Sequence, residues 1–204
     1  MNPDKWDVLL KSVQQAFTRE NLDFAAEYVK MLKAFAPPAE HRRLLDIGVG
    51  EGPKEVEMLE AAGYSVTGIT VQPWMLIGSP VKLMDMHDQE FRPDSFDAAY
   101  STQVFEHSYA PWLLAMETWV TLRPSGKLFL SLPLPGQHVS VHHPSQLGKE
   151  EWKYLLEQAG FRIHSSRTEY IISEPVIIVL AEKSEPPDPH VKAALDGLRR
   201  IRGL

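Results

Sequence analysis

Asp46 is followed by glycines at positions 48, 50 and 52. The apolar pair Leu44-Leu45 feeds this run, and Pro53 follows it. Glycine lets backbone approach a ligand closely and tolerates positive φ. A helix starting near Pro53 turns its free N–H groups towards the same place. An acid, a glycine turn and a helix start together make a nucleotide or nucleoside pocket at the carboxyl end of a strand. Taken alone, such a turn also fits a purely structural strand-to-helix link. A dinucleotide turn of the G-x-G-x-x-G kind puts its third glycine at position 53, where this chain has proline. Downstream, His107, His138, His142 and His143 bring imidazoles, which exchange protons near neutral pH. His107 is the leading candidate for a general base, and His142 or His143 the second.

These residues need a scaffold, and composition bounds it. The chain has 204 residues, a formal net charge of -6 and no cysteine. One domain with a real core is expected. The acidic balance disfavours a nucleic-acid partner, which needs a basic face. Without cysteine there is no disulfide, thiolate metal site or cysteine nucleophile. No apolar run approaches the ~18 residues of a membrane span, so no membrane partner is expected. Met1 to Asp7 carry charge and a tryptophan rather than a signal-peptide core, and a cytoplasmic location is the default.

Residues 3–35 read as helix, with apolar residues at helical spacing from Trp6 through Phe17 to Tyr28 and Leu32. Residues 1–38 are expected to form a helical lid, with Trp6, Phe17 and Tyr28 as pocket walls or core. Strands and helices then alternate over residues 42–182, which argues for a parallel sheet. Strands are expected at about 43–47, Ser65 to Thr70, Val81 to Met84, Phe96 to Ser101 and Lys127 to Leu132. Two more, about 161–170 and 174–182, read as an antiparallel hairpin. Helices are expected up to Ala62, from Pro111 to Leu122 and from Lys149 to Ala159, with Gly63 and Gly160 as stops. Between Thr70 and Asp85 there is room only for a stubby crossover, where Trp74 and Met75 are wall or core. Residues 183–204 read as a charged, solvated tail, with a helix near 190–202 carrying Arg199, Arg200 and Arg202.

The D-x-G-x-G-x-G turn resembles motif I of the class I S-adenosylmethionine-dependent methyltransferases. Other segments match that family in its own order. They are Asp85 to Phe91 with Asp94-Ser95-Phe96-Asp97, then Val104 to His107. Leu122 to Leu128 follows, with Ser125 where the family has a glycine, and then Leu155 to Phe161. The resemblance covers roughly residues 42–165. It implies a doubly wound α/β fold with a seven-stranded, mostly parallel sheet. It also implies S-adenosylmethionine as cofactor, S-adenosylhomocysteine as product and methyl transfer to a small-molecule oxygen or nitrogen.

By that resemblance the cofactor-binding residues are Asp46, Gly48, Gly50, Gly52, Thr70, Gln72, Asp85, Met86 and Gln103. Thr70 stands where an acid usually grips both ribose hydroxyls; one hydroxyl makes one such bond, and Gln72 can supply the second. Asp85 would accept from the adenine amino group, and the Met86 N–H would reach a ring nitrogen. Glu106, His107 and a downstream histidine, His143, resemble part of the Glu-x-x-Glu-His cluster of metal-assisted O-methyltransferases. Gln103 replaces that cluster's first glutamate, which weakens the case for a hard cation, and no metal is expected.

Three other readings compete. A nicotinamide dehydrogenase is disfavoured by Pro53 and by the absence of an acid at Thr70. Lipid-carbon methylation is prompted by Gly68-Ile69-Thr70, but no basic apolar helix supports it. A non-catalytic cofactor-binding or partner module remains, since Thr70, Gln103 and Ser125 are departures that such drift produces.

Overall fold

The computed structural model describes residues 23–49, 54–72, 80–137, 141–172, 174–186 and 188–203. Gly50, Gly52, Pro53, Trp74, Met75 and His138 lie outside the described residues, as does the first part of the expected lid with Trp6 and Phe17.

The first described helix, α1, covers residues 23–35. There follow β1 (Arg43–Ile47), α2 (Lys54–Ala61), β2 (Ser65–Thr70), β3 (Val81–Leu83) and β4 (Phe96–Thr102). A single 3₁₀ turn, Phe105–His107, leads to α3 (Pro111–Thr121), β5 (Leu122–Pro133) and α4 (Lys149–Gln158). The chain then makes β6 (Phe161–Ile171), β7 (Glu174–Lys183) and α5 (Pro189–Arg202).

The seven strands form one sheet in the order β3-β2-β1-β4-β5-β7-β6. Pairings among β1 to β5 are parallel, and β7 runs antiparallel between β5 and β6. The expected fold and terminal hairpin are therefore present. Chain order reverses between β1 and β4; in open α/β sheets ligands bind at such a switch point, by the carboxyl ends of the strands.

Strand alternation feeds two cores. Leu44, Val66, Ala98, Tyr100, Phe129 and Ile178 pack towards α1 and α2 with Tyr28, Val29, Leu32, Val56 and Leu59. Leu45, Ile47, Ile69, Ala99, Leu128 and Leu130 pack towards α3 and α4 with Leu114, Trp152 and Leu156. The described part of the expected lid is thus a packed element. Tyr28 and Leu32 of α1 are buried in the sheet's own core.

Two expectations need correction. First, β5 begins at Leu122 rather than Lys127: α3 runs straight into it, and Leu122 pairs with Phe96 before the register shifts at Ala98 and Lys127. The Pro124-Ser125-Gly126 turn is an excursion inside the strand, with Ser125 held at φ 60°. Second, the tail is docked rather than solvated. Leu195 is fully buried in the core. Arg199 grips Asp94 through two bonds of 3.0 and 2.6 Å, and Arg202 reaches Glu117 at 2.9 Å. The acids that neutralise these arginines lie far away in sequence, so local charge pattern reads them as a solvated face.

Candidate functional site

Asp46 is the last polar residue before the glycine turn, and β1 carries it into the interior, 1% exposed. Its Oδ2 has no hydrogen-bond partner among the described residues. Glu55, in the first turn of α2, lies beside it. Glu55 Oε1 accepts from the Tyr100 hydroxyl at 2.6 Å and from Thr102 at 3.3 Å. Burial, and then the nearby Glu55 charge, push the Asp46 carboxyl well above its usual range. Burial also raises Glu55, against the pull of its two hydroxyl donors. Two carboxyls brought together out of water bind a proton or a cation in place of one of their charges.

Gly48 opens the turn at φ 80°, and a Cβ there would sit 2.5 Å from a methyl of Val104. Its N–H and that of Val49 donate to the Ile69 carbonyl, both at 3.0 Å, so the turn is tied to β2. Thr70 closes β2 as a buried residue whose Oγ1 accepts from the N–H of Gln72 at 3.2 Å. Thr70 and Gln72 therefore stand together at a strand end, one buried and one exposed.

Asp85 follows β3. Its Oδ1 accepts from the N–H and from the Nδ1 of His87, both at 2.8 Å. These bonds, the backbone one foremost, hold the carboxyl below its usual range. His87 Nε2 meets the Ser108 hydroxyl at 2.7 Å. Met86 is held from its carbonyl side, where Gln89 Nε2 donates at 3.0 Å. Gln103 follows β4 at φ 55°, an uncommon conformation for a residue with a side chain. It donates through Nε2 to Ser131 Oγ at 3.1 Å and through its backbone to the Ser131 carbonyl at 2.8 Å.

The 3₁₀ turn after β4 presents Glu106 and His107. Glu106 is 1% exposed, and burial pushes its carboxyl up to about 7. His107 Nδ1 lies 2.7 Å from the His142 carbonyl. A carbonyl only accepts, so this bond assigns the proton to Nδ1 and leaves Nε2 as the basic nitrogen. The His107 and His143 rings meet edge-on with centroids 4.6 Å apart. Ligand atoms of Glu106, His107 and His143 lie within 4.8 Å of one another. His142 joins this group through its backbone carbonyl.

Sequence reading thus placed both imidazoles and their neighbouring acid in one cluster. It missed Glu55 and His87. Glu55 was visible only as an acid in the first turn of a helix. His87 carried the two-residue spacing from Asp85 that marks a side-chain-to-backbone turn.

A sheet with this switch point, a glycine turn over a buried acid and a polar loop after β3 define the fold of a class I S-adenosylmethionine-dependent methyltransferase. The family model described as a methyltransferase domain matches residues 18–169, and the chain belongs to that family. Among curated proteins, it is 23% identical over 149 residues to an O-methyltransferase of Penicillium expansum, covering 62% of this chain and 54% of that protein. It is 24% identical to the 27-O-demethylrifamycin SV methyltransferase of Amycolatopsis mediterranei, covering 88% of this chain and 73% of that one. The chain spans about half the length of the two fungal relatives it matches.

Solved structures that share the fold include the following two. One is a chain of the complex between the Haloferax volcanii Trm112 methyltransferase activator and a methyltransferase. It has a TM-score of 0.71 at 14% identity, over 92% of this chain and 98% of that one. The other is the Burkholderia thailandensis 1,6-didemethyltoxoflavin-N1-methyltransferase, with a TM-score of 0.66 at 16% identity over 91% and 92%. No helix among the described residues is long and apolar enough to cross a membrane.

Proposed function

We propose that this chain transfers a methyl group from S-adenosylmethionine to an oxygen or nitrogen of a small molecule. The observation that carries this reading is Asp46. Its buried Oδ2 has no hydrogen-bond partner among the described residues, and the carboxyl lies beside Glu55 at the switch point. A ligand bearing an ammonium and a sulfonium supplies the positive charge this pair calls for. The O-methyl relatives and the N-methylating structural neighbour support a small acceptor with either nucleophile.

When bound, S-adenosylmethionine brings an electrophilic methyl group, so the protein has only to align, exclude water and move a proton. Asp46 would take the cofactor's ammonium, and Gly48, with Gly50 and Gly52 further along the sequence, would let the backbone approach the cofactor. Thr70 and Gln72 take the ribose hydroxyls. Asp85 accepts from the adenine amino group, and the Met86 N–H serves a ring nitrogen. Gln103, braced on Ser131, would help to hold the cofactor. His107 Nε2 accepts the proton that an acceptor hydroxyl or amine gives up. The His142 carbonyl holds the ring in the tautomer this requires, and His143 is the second base.

A metal-assisted form of the same reaction is the second reading. Glu106, His107 and His143 offer a carboxylate and two imidazoles within 4.8 Å, and Glu106 Oε2 is buried without a hydrogen-bond partner among the described residues. Two imidazoles with one carboxylate suit Mn²⁺, Co²⁺ or Zn²⁺ better than Mg²⁺. A bound ion would lower the pKa of an acceptor hydroxyl.

The test is transfer of labelled methyl from S-adenosylmethionine to panels of phenols, alkyl alcohols and heteroaryl amines, with and without chelator. Transfer to one panel, cut roughly a hundredfold by His107→Ala, is the expected result. Loss of transfer on chelation, restored by Mn²⁺, selects the metal-assisted form. Cofactor binding with no transfer to any panel supports the non-catalytic module instead.

A further inference from the structure

We propose that His87 is a positioning residue for the cofactor's base: it aims Asp85 and ties it to the segment carrying the histidines. The proposal rests on the reading of Asp85 as the adenine acceptor. Asp85 is more than half exposed, and its side chain alone would sample several rotamers. His87 removes that freedom. Both its backbone N–H and its ring Nδ1 bond one oxygen, Oδ1, at 2.8 Å. Oδ2 is then the oxygen turned over to a ligand.

The ring is fixed in turn. An ionised carboxylate accepts only, so Nδ1 carries the proton, and Ser108 donates its hydroxyl to Nε2 at 2.7 Å. Ser108 is fully buried. Its Oγ accepts from the Ala110 N–H at 3.0 Å, and its own N–H is spent on the Phe105 carbonyl. Carboxylate, imidazole and hydroxyl stand in the order of a hydrolytic triad. A serine with no exposed surface cannot act as a nucleophile, so the chain of bonds holds rather than reacts.

The same serine continues the chain towards the base. Its carbonyl accepts from Ser145 Oγ at 2.6 Å, and the Ser145 N–H donates to the Glu106 carbonyl at 3.1 Å. Those bonds pin the loop of His142 and His143 to the turn of Glu106 and His107. One run of hydrogen bonds therefore joins the residue that reads the base to the residues that face the acceptor. Preorganisation of this kind lowers the ordering cost of binding, and it does so only for a ligand with the matching donor.

The experiment measures affinity for S-adenosylhomocysteine and for its 6-deamino (purine riboside) analogue by calorimetry. The second ligand replaces the adenine amino group with hydrogen and leaves the ring nitrogens as acceptors. Wild type is expected to prefer the adenine compound roughly tenfold or more, the scale of one hydrogen bond to a charged group. Asp85→Ala and His87→Ala are expected to erase that preference. In His87→Asn the amide stands in for Nδ1, which returns part of it; Ser108→Ala, which frees the ring, lowers it.

A simple loss of folding would weaken both ligands alike and leave the ratio unchanged. Should His87→Ala fail to fold, His87→Asn and Ser108→Ala carry the same comparison. A wild-type ratio in these His87 and Ser108 variants, with Asp85→Ala still losing it, overturns the role of His87. A wild-type ratio in Asp85→Ala overturns the adenine assignment, and the proposal with it.

Discussion

Arg202 gives the sharpest energetic prediction. It donates to Glu117 Oε1 at 2.9 Å and to Asp88 Oδ1 at 2.6 Å. The Asp88 side chain is 68% exposed, so that pair contributes little. The Glu117 side chain is 2% exposed, so the second pair matters. Arg202→Met keeps the aliphatic stem and removes the charge. Burial already raises the Glu117 carboxyl above its ordinary 4.5, and Arg202 opposes that rise. Without the arginine burial raises that carboxyl further, and taking up a proton caps the cost. The cap is the free energy of protonating an ordinary carboxyl at the working pH. At about 1.4 kcal/mol per pH unit, it is about 3 kcal/mol near pH 7 and below about 1 kcal/mol near pH 5. The sign follows from proton counts. Above the ordinary carboxyl range the folded variant binds more protons here than the unfolded chain, so the variant loses stability as pH rises, and more so than the wild type, whose carboxyl is raised less. Urea titrations of wild type and Arg202→Met at the two pH values read the difference. Adding Glu117→Gln should remove the pH dependence of the loss. An equal loss at both pH values, or no effect of Glu117→Gln, refutes the reasoning.

Three further outcomes are expected. Gly48→Ala places a methyl 2.5 Å from Val104 at φ 80°, and should cost about 2 kcal/mol or more in urea unfolding while weakening S-adenosylhomocysteine binding. Trp119→Phe removes the indole donor to the Gly160 and Ser184 carbonyls, now at 3.1 and 2.8 Å, and should cost about 1–3 kcal/mol in the same assay. Ser125→Gly relieves a left-handed residue at φ 60° and should raise stability by up to about 1 kcal/mol, read as a higher melting temperature.

The parallel core was legible because its strands are short apolar runs closed by punctuation. Gly63 and Gly160 both take positive φ where helices end, and Leu44 and Leu45 point to opposite cores. The histidine cluster was legible as residues, though its pairing of His107 with the His142 carbonyl depends on a loop 35 residues away. The docking of α5 was not legible, since Arg199 and Arg202 find their acids 105 and 85 residues earlier. The start of β5 was missed for a related reason: only pairing with Phe96 makes Leu122 a strand residue. Glu55 looked like an ordinary helix-start acid, because the Tyr100 and Thr102 hydroxyls that hold it come from another strand.

Calorimetric titration of S-adenosylmethionine and S-adenosylhomocysteine into wild type and Asp46→Asn tests the central claim most directly. The account predicts saturable one-site binding of both ligands, weakened roughly tenfold or more when the buried charge is removed. No saturable binding at millimolar ligand, or unchanged affinity in Asp46→Asn, contradicts it.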